Sequence, residues 1–478
     1  MDKIRDRIGF SFADLESVVW EETRKGFIEA MQALLESLDA TLEEARDKQQ
    51  YVLKGTQVRV LQTRVGEVPV RRRYYRDTEA GEWVALLDVA LGLEKRVRLT
   101  QGIKAVAVEA AVQGRSYRAA AQELAREAGR PVISHETVRQ CALKAGDYLE
   151  QSSSRYEAEE KRRVGMLFLE VDGFWPSLQR SRKRKGKDKQ SQRRIGKREV
   201  RLAVSHEGWE PRSPGSSEFR LKQRRDFTYQ GGGDFWEEVV TWMEQEYDLA
   251  DTWVVINGDR AGWIRRGVQW FPHALYQVDR FHLLRDVKRA LREQPERVKA
   301  ALEAITTGDA QGLLLLLKVA AEATEDPVRR KGIRDLYRDL RTMPEAIRDY
   351  RLQLQSRGIA VDGLRGMGAT EGAVARFSAR LRMQGRSWSQ HGLGAMLQVL
   401  VAWFAGSLGN AVRTVERLAG LEPPRQARAS VKHRAVQAAV SRLDWAHHGH
   451  FPALEMGRNA SGGLSRTLRH LAHALPNV

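Results

Sequence analysis

The chain has 478 residues, enough for about three domains with sizeable cores. Its 42% hydrophobic and 30% charged residues exclude a disordered chain and a membrane protein, and the longest aliphatic run, Leu313 to Leu317, is far too short to span a bilayer. Eighty Lys and Arg against 62 Asp and Glu give a net charge of +18 and a pI near 10.0, a balance that attracts polyanions, nucleic acid first among them. A GC-rich genome produces the same arginine bias, so charge alone does not settle the partner. The single cysteine, Cys141, excludes an intrachain disulfide and a multi-Cys zinc site and suits a reducing cytosol. The first residues lack the apolar stretch of a signal peptide.

Residues 12–48 carry Phe27, Met31, Leu34, Leu35 and Leu38 at helical spacing, which predicts an amphipathic core helix without the sustained heptads of a coiled coil. Residues 51–93 are rich in Val and Tyr and broken at Gly55, Gly66 and Gly81, a small antiparallel unit. Its run from Arg71 to Arg76 suits either a DNA backbone or an exposed strand face. Residues 102–150 return to helix. Ser116 is placed to cap a helix over 117–127, a turn follows at Gly129, Arg130 and Pro131, and Ser134 is placed to cap a second helix with Glu136 in its first turn. This is a helix–turn–helix pattern whose second helix would present His135, Glu136, Arg139 and Gln140 to a major groove. A generic helical hairpin has the same pattern.

Residues 164–290 alternate strand and helix. GMLFLEV (165–171), EVRLAV (199–204), a third strand within 219–229, TWVVI (252–256) and HALYQV (273–278) are strand-like, with an amphipathic helix over 234–247. Such an order fits a mixed sheet with helices, an α/β layer fold. Between the first two strands lies a dense basic run, Arg180 to Arg198, with Arg182, Lys183, Arg184, Lys185, Arg193 and Arg194 in a loop suited to phosphate contact. From Phe281 onward the chain is almost all helical, apart from a glycine-rich stretch over 358–370 that ends just before Glu371.

Asp172 follows the first buried strand and Asp259 follows TWVVING. Carboxylates leaving neighbouring strands, joined by a third from elsewhere, are the ligand set that holds two hard divalent cations for in-line attack at a phosphodiester. Taken singly, each is equally an ordinary turn residue.

In order, LEVDGFWPSLQ, VVINGDRAGWI, YQVDRFHLLRDV and GATEGAVARFSARLRMQGRSWS resemble the DDE transposases of bacterial insertion sequences, and most closely the ISLre-type family related to the Mutator-like enzymes. The resemblance extends over most of the chain. It implies an RNase H-like mixed sheet with a long all-helical insertion, preceded by a helical and small β N-terminal region and a helix–turn–helix. It implies that Asp172, Asp259 and Glu371 are the catalytic, metal-holding acids, with Mg2+ or Mn2+, two ions, as cofactor. Asp279 and His282 match the Asp-x-x-His signature and would shape the site or touch the scissile DNA; His282 would equally pack at a strand-to-helix turn. Trp388 matches a tryptophan block that would stack on an unpaired base, or pack in a core. Arg260 stands where relatives have a smaller residue, and would meet a DNA phosphate or a neighbouring acid. Glu322, Glu325 and Glu345 are the upstream competitors of Glu371.

The resulting division is 1–100 for the N-terminal helix and β unit, 101–152 for the helix–turn–helix, 163–290 for the first part of the catalytic core, 291–362 for the insertion, 363–420 for its second part, and 421–478 for a basic helical tail. The implied function is metal-dependent DNA cleavage and strand transfer on double-stranded transposon ends and target DNA, by a dimer or larger assembly in the bacterial cytoplasm at the nucleoid, away from any membrane. A non-catalytic helix–turn–helix DNA-binding protein and an RNase H-like nuclease without strand transfer are the alternatives.

Overall fold

A computed structural model describes residues 11–93, 95–179 and 196–410. The chain divides after residue 142 into two compact units. In the first, helix α1 (Phe12–Ala45) starts at a reciprocal cap, in which Ser11 accepts from the Asp14 N–H and the Asp14 carboxylate accepts from Ser11. Only its second half is buried: Leu35, Leu38 and Leu42 pack on Leu61, Val68 and Val70 of an antiparallel hairpin, β1 (Tyr51–Gln62) and β2 (Glu67–Asp77). Phe27, expected on the core face, is 39% exposed, while the adjacent Ile28 packs against the core.

The arginine run on β2 is not a free basic face. Arg72 joins Arg59 on Asp88 (2.8 and 2.7 Å), and Arg73 reaches Asp39 (2.8 Å) and Glu43 (2.5 Å). Three helices follow, α2 (Gln101–Gln113), α3 (Tyr117–Glu127) and α4 (His135–Arg155). Ser116 and Ser134 cap the last two, accepting from the N–H groups of Ala119 (3.0 Å) and Thr137 (3.1 Å).

The second unit is built on a five-stranded sheet. Its strands are β3 (Met166–Phe174), β4 (Val200–His206), β5 (Arg225–Tyr229), β6 (Trp253–Gly258) and β7 (His273–Val278), in the order β5-β4-β3-β6-β7. The first three strands are antiparallel neighbours; β6 runs parallel to both β3 and β7. β3 and β6 read as continuous apolar runs because both faces are covered. β3 continues through Phe174, so Asp172 and Gly173 lie within the strand and the turn reading of that pair falls. The third strand expected over 219–229 is two strands. Phe219–Leu221 pairs with Trp209–Pro211, and only Arg225–Tyr229 joins the sheet, the break falling at Gln223 with its positive φ of 51°.

After β7 the chain enters helix α5 (Arg280–Ala290) and then α6 (Pro295–Thr307), α7 (Ala310–Glu322) and α8 (Pro327–Arg341). Pro295 and Pro327 sit at the first helical position, where no N–H is needed, and Gly308 closes α6 in the left-handed region. Leu283, Leu313, Leu317, Ile333 and Leu340 share one core with Leu167, Leu169, Val254 and Ile256 of the sheet. The chain returns in α9 (Ala369–Leu381), whose Phe377 meets Phe174 of β3, and ends its described part with α10 (Gln390–Phe404). Among the described residues no helix is long and apolar enough to cross a membrane.

Gly258 is where β3 and β6 come closest to the site: a Cβ there would stand 2.7 Å from the Val171 carbonyl oxygen and 2.9 Å from Ile264. Gly258→Ala is expected to cost about 1–3 kcal/mol of overpacking, measured by urea unfolding, and to displace Asp259. A stability equal to the parent's would show that the strands part freely at this point.

Candidate active site

Strand register brings the first two acids together. Val171 pairs with Gly258, so Asp172 and Asp259 leave the neighbouring parallel strands β3 and β6 at the same level. The Asp259 Oδ1 accepts the Ala261 N–H at 2.8 Å, which turns the chain into the short helix Gly262–Arg265. From the next strand, Asp279 caps α5. Its Oδ1 accepts both the His282 N–H and the His282 Nδ1–H at 3.0 Å, and its Oδ2 accepts from Asn257 Nδ2 at 2.9 Å. With Nδ1 so occupied, Nε2 is the ring nitrogen left to face the site. Glu371 enters from the first turn of α9.

The ligand atoms of Asp172, His282 and Glu371 all lie within 4.8 Å of one another. Asp259 is not a member of this cluster, in which His282 stands beside Asp172 and Glu371. The physical reason is the helical turn from Asp279 to His282, which swings the imidazole back over the strand ends. Glu322, Glu325 and Glu345 are not in the cluster.

The other expected residues are dispersed. Arg260 turns to a neighbouring acid, Asp286, at 3.0 Å, and lies 4.0 Å from Asp339. Trp388 is a packed aromatic. It is 6% exposed, its indole N–H donates to the Leu381 carbonyl at 2.9 Å, and the Arg380 guanidinium lies over its ring. On α4, His135 is exposed, while Arg139 and Gln140 both donate to Glu136, at 2.6 and 2.9 Å. Arg182, Lys183, Arg184, Lys185, Arg193 and Arg194 lie outside the described residues, as does the tail 421–478. Four polar residues under the site escaped the sequence reading: Glu170, Asn257, Gln277 and Thr370, all buried. The available signal for Glu170, Asn257 and Gln277 was a charged or amide side chain inside an otherwise apolar strand.

The model of an uncharacterised protein family, UPF0236, matches residues 5–418. The chain belongs to this family. One relative is a UPF0236 protein of Caldanaerobacter subterraneus subsp. tengcongensis whose name joins eleven loci; it is 26% identical over 397 residues, 82% of this chain and 78% of that protein. Another, named a UPF0236 protein in the vanSb 3' region, comes from Streptococcus gallolyticus and is 25% identical over 405 residues, 82% of each chain. Among solved structures, the Drosophila P element transposase strand transfer complex aligns over 73% of this chain and 93% of that one, at 10% identity and a TM-score of 0.24.

The electrostatics of this UPF0236 site are set first by burial and then by the neighbouring charges. Burial pushes the Asp172 carboxyl up to about 6; the Gly173 N–H and His282 oppose that shift, while Asp259 and Glu371 add to it. His282 is raised from its ordinary value, first by its hydrogen bond to Asp279 and further by the charges of Asp279 and Asp172, against burial. Burial works to raise Asp279, but the His282 and Asn257 hydrogen bonds outweigh it and hold it low. Two carboxylates and an imidazole nitrogen form a donor set that fits a divalent cation, and such an ion would relieve the repulsion on Asp172.

The sign of the Asp172 shift makes a prediction. A carboxyl raised by folding costs stability when ionised, so the cost grows as pH rises from about 4 to about 6 and is complete above that. In EDTA, Asp172→Asn is expected to exceed the parent's stability by about 2–3 kcal/mol at pH 8, the gap closing toward pH 4. Urea unfolding across that range checks it; a gap independent of pH would refute the raised Asp172 carboxyl.

Proposed function

We propose that this chain is a DNA transposase of an insertion sequence, which cleaves and transfers DNA strands by phosphoryl transfer at Asp172, Asp259 and Glu371, with His282 beside them. The observation that carries the reading is the meeting of Asp172, His282 and Glu371 at the strand ends of a mixed sheet, from segments far apart in sequence. The sheet order, three antiparallel strands followed by two parallel ones, agrees with an RNase H-like core, and the ISLre-type resemblance of the four blocks supports the same assignment. The Caldanaerobacter relative's name joins eleven loci, the kind of copy number that a self-inserting element leaves behind.

Asp172, Glu371 and the His282 Nε2 would hold Mg2+ or Mn2+, with Asp259 completing the site for a second ion. Such ions supply Lewis-acid polarisation of the phosphodiester and stabilise the leaving oxygen. The protein's own part is positional. Asp279 fixes the His282 tautomer, and the Ala261 N–H holds one oxygen of Asp259. Arg260, held by Asp286, keeps positive charge close without closing the site. The α3–α4 pair is the proposed reader of the element ends, with His135, Arg139 and Gln140 toward the bases, and the basic segment from Arg182 to Arg194 would neutralise DNA phosphates.

On DNA carrying the sequences that flank the gene as candidate element ends, Asp172→Asn, Asp259→Asn and Glu371→Gln are each expected to abolish cleavage and leave end-binding within about twofold. Glu325→Gln should cleave like the parent. Full cleavage by Asp172→Asn or Asp259→Asn would reject the catalytic reading and leave a DNA-binding protein; cutting without joining by the parent would leave a nuclease.

A second experiment separates the DNA contacts. Arg139→Ala with Gln140→Ala should lower the preference for element ends over random DNA by roughly tenfold or more, at about one to three kcal/mol per lost base contact. Neutralising Arg182, Lys183, Arg184 and Lys185 should weaken binding to every sequence and flatten its salt dependence. Binding isotherms at several salt concentrations that leave both quantities unchanged would move the DNA surface elsewhere.

A further inference from the structure

Glu170 lies on β3 two residues before Asp172 and is fully buried at 0% exposure. Its Oε2 accepts from the Thr370 N–H at 3.3 Å and the Thr370 Oγ1 at 3.1 Å, 200 residues away in the chain, and from Asn257 Nδ2 at 3.4 Å. Its Oε1 faces His206 Nε2 at 3.5 Å. These contacts land where α9 needs them. The first amides of a helix have no acceptor within it, and the N-cap residue of α9 is Gly368, which has no side chain to offer. A carboxylate from a neighbouring strand fills that role and suits the positive end of the helix.

The same carboxylate reaches the other side of the site. Asn257 Nδ2 is shared between Glu170 and Asp279, and Asp279 holds the His282 ring. Asn257 is itself fixed, because its Oδ1 accepts from Gln277 Nε2 at 2.9 Å, and Gln277 accepts the Tyr350 N–H at 2.7 Å. The hydrogen bonds therefore run unbroken from Thr370 through Glu170, Asn257 and Asp279 to His282. One end abuts Glu371 and the other is a member of the cluster. An apolar side chain at position 170 would match the Leu and Val around it and avoid a heavy desolvation cost. The cost is incurred where it joins the three segments that carry the site.

We propose that Glu170 is a positioning residue: it caps the Glu371 helix from a distant strand and, through Asn257 and Asp279, sets Glu371 and His282 as one unit against Asp172. The proposal rests on the site reading above for its purpose, but the capping stands on its own contacts.

The test uses the full chain with Glu170→Gln, which keeps the shape but turns an amide N–H toward a cluster of donors, and Thr370→Val, which removes one donor only. Two measurements are made on folded protein: hydrogen exchange over residues 366–377, with residues 235–244 as internal control, and Mn2+ titration followed by electron paramagnetic resonance. Glu170→Gln is expected to speed exchange at the start of α9 by roughly tenfold or more, leave the control segment unchanged, and weaken Mn2+ binding by roughly 10–100-fold with loss of the imidazole nitrogen coupling. Thr370→Val should shift both in the same direction, by less. A residue that served only global stability would lower the melting temperature without moving either measurement in the folded protein. Unchanged exchange in α9 together with unchanged Mn2+ affinity would overturn the proposal. If the parent binds no Mn2+, the metal reading of the site fails, and exchange alone decides the capping. If Glu170→Gln does not fold, Thr370→Val decides by the same two measurements.

Discussion

The parallel pairing of β3 with β6 is the constraint on which the rest depends. Its register sets Val171 opposite Gly258 and so brings Asp172 and Asp259 out at one level. It is possible only because Gly258 lacks a Cβ, which would press on the Val171 carbonyl and on Ile264. Once the two strands are aligned, the β7 strand beside β6 places Asp279 and the start of α5, and the face of β3 receives α9 through Phe174 and Phe377. A shift of one residue in β3 would turn Asp172 to the other face of the sheet and send Glu170 out of the core.

Crowding negative charge at that point creates an electrostatic problem, and the surrounding polar residues answer it. Asp172 carries the strain, with its carboxyl up to about 6. His282 supplies positive charge or, with a cation present, a neutral nitrogen, and Asp279 determines which ring atom is available. The buried amide of Asn257 donates to the Glu170 and Asp279 carboxylates without adding charge, and Gln277 in turn donates to Asn257. Because these groups sit in a dry interior, each hydrogen bond restrains its partners more firmly than a solvated one does.

The net charge of +18 is distributed unevenly in its effects. Arg59, Arg72 and Arg73 are bound into ion pairs that hold the hairpin to α1 and to Asp88, and Arg260 is bound to Asp286. Even on α4, Glu136 holds Arg139 and Gln140 in the protein alone. Contact with bases would have to compete with that carboxylate, which favours DNA that offers both side chains a better acceptor.

The sequence by itself determined the local features. Apolar runs marked the strands, and Ser116 and Ser134 marked the helix starts. It also marked Asp172, Asp259 and Glu371 as acids at the edges of regular elements, and the Asp279-to-His282 spacing as one helical turn. These features depend on neighbours within a few residues, and so they can be read along the chain. Tertiary structure alone decided which of them meet. That His282 rather than Asp259 joins Asp172 and Glu371, that Trp388 is packed, that Arg260 answers Asp286, and that Glu170 reaches Thr370 all depend on strand register and helix docking across as many as 200 residues. Such proximity is set by the summed packing of the whole unit, and no local period in the sequence encodes it.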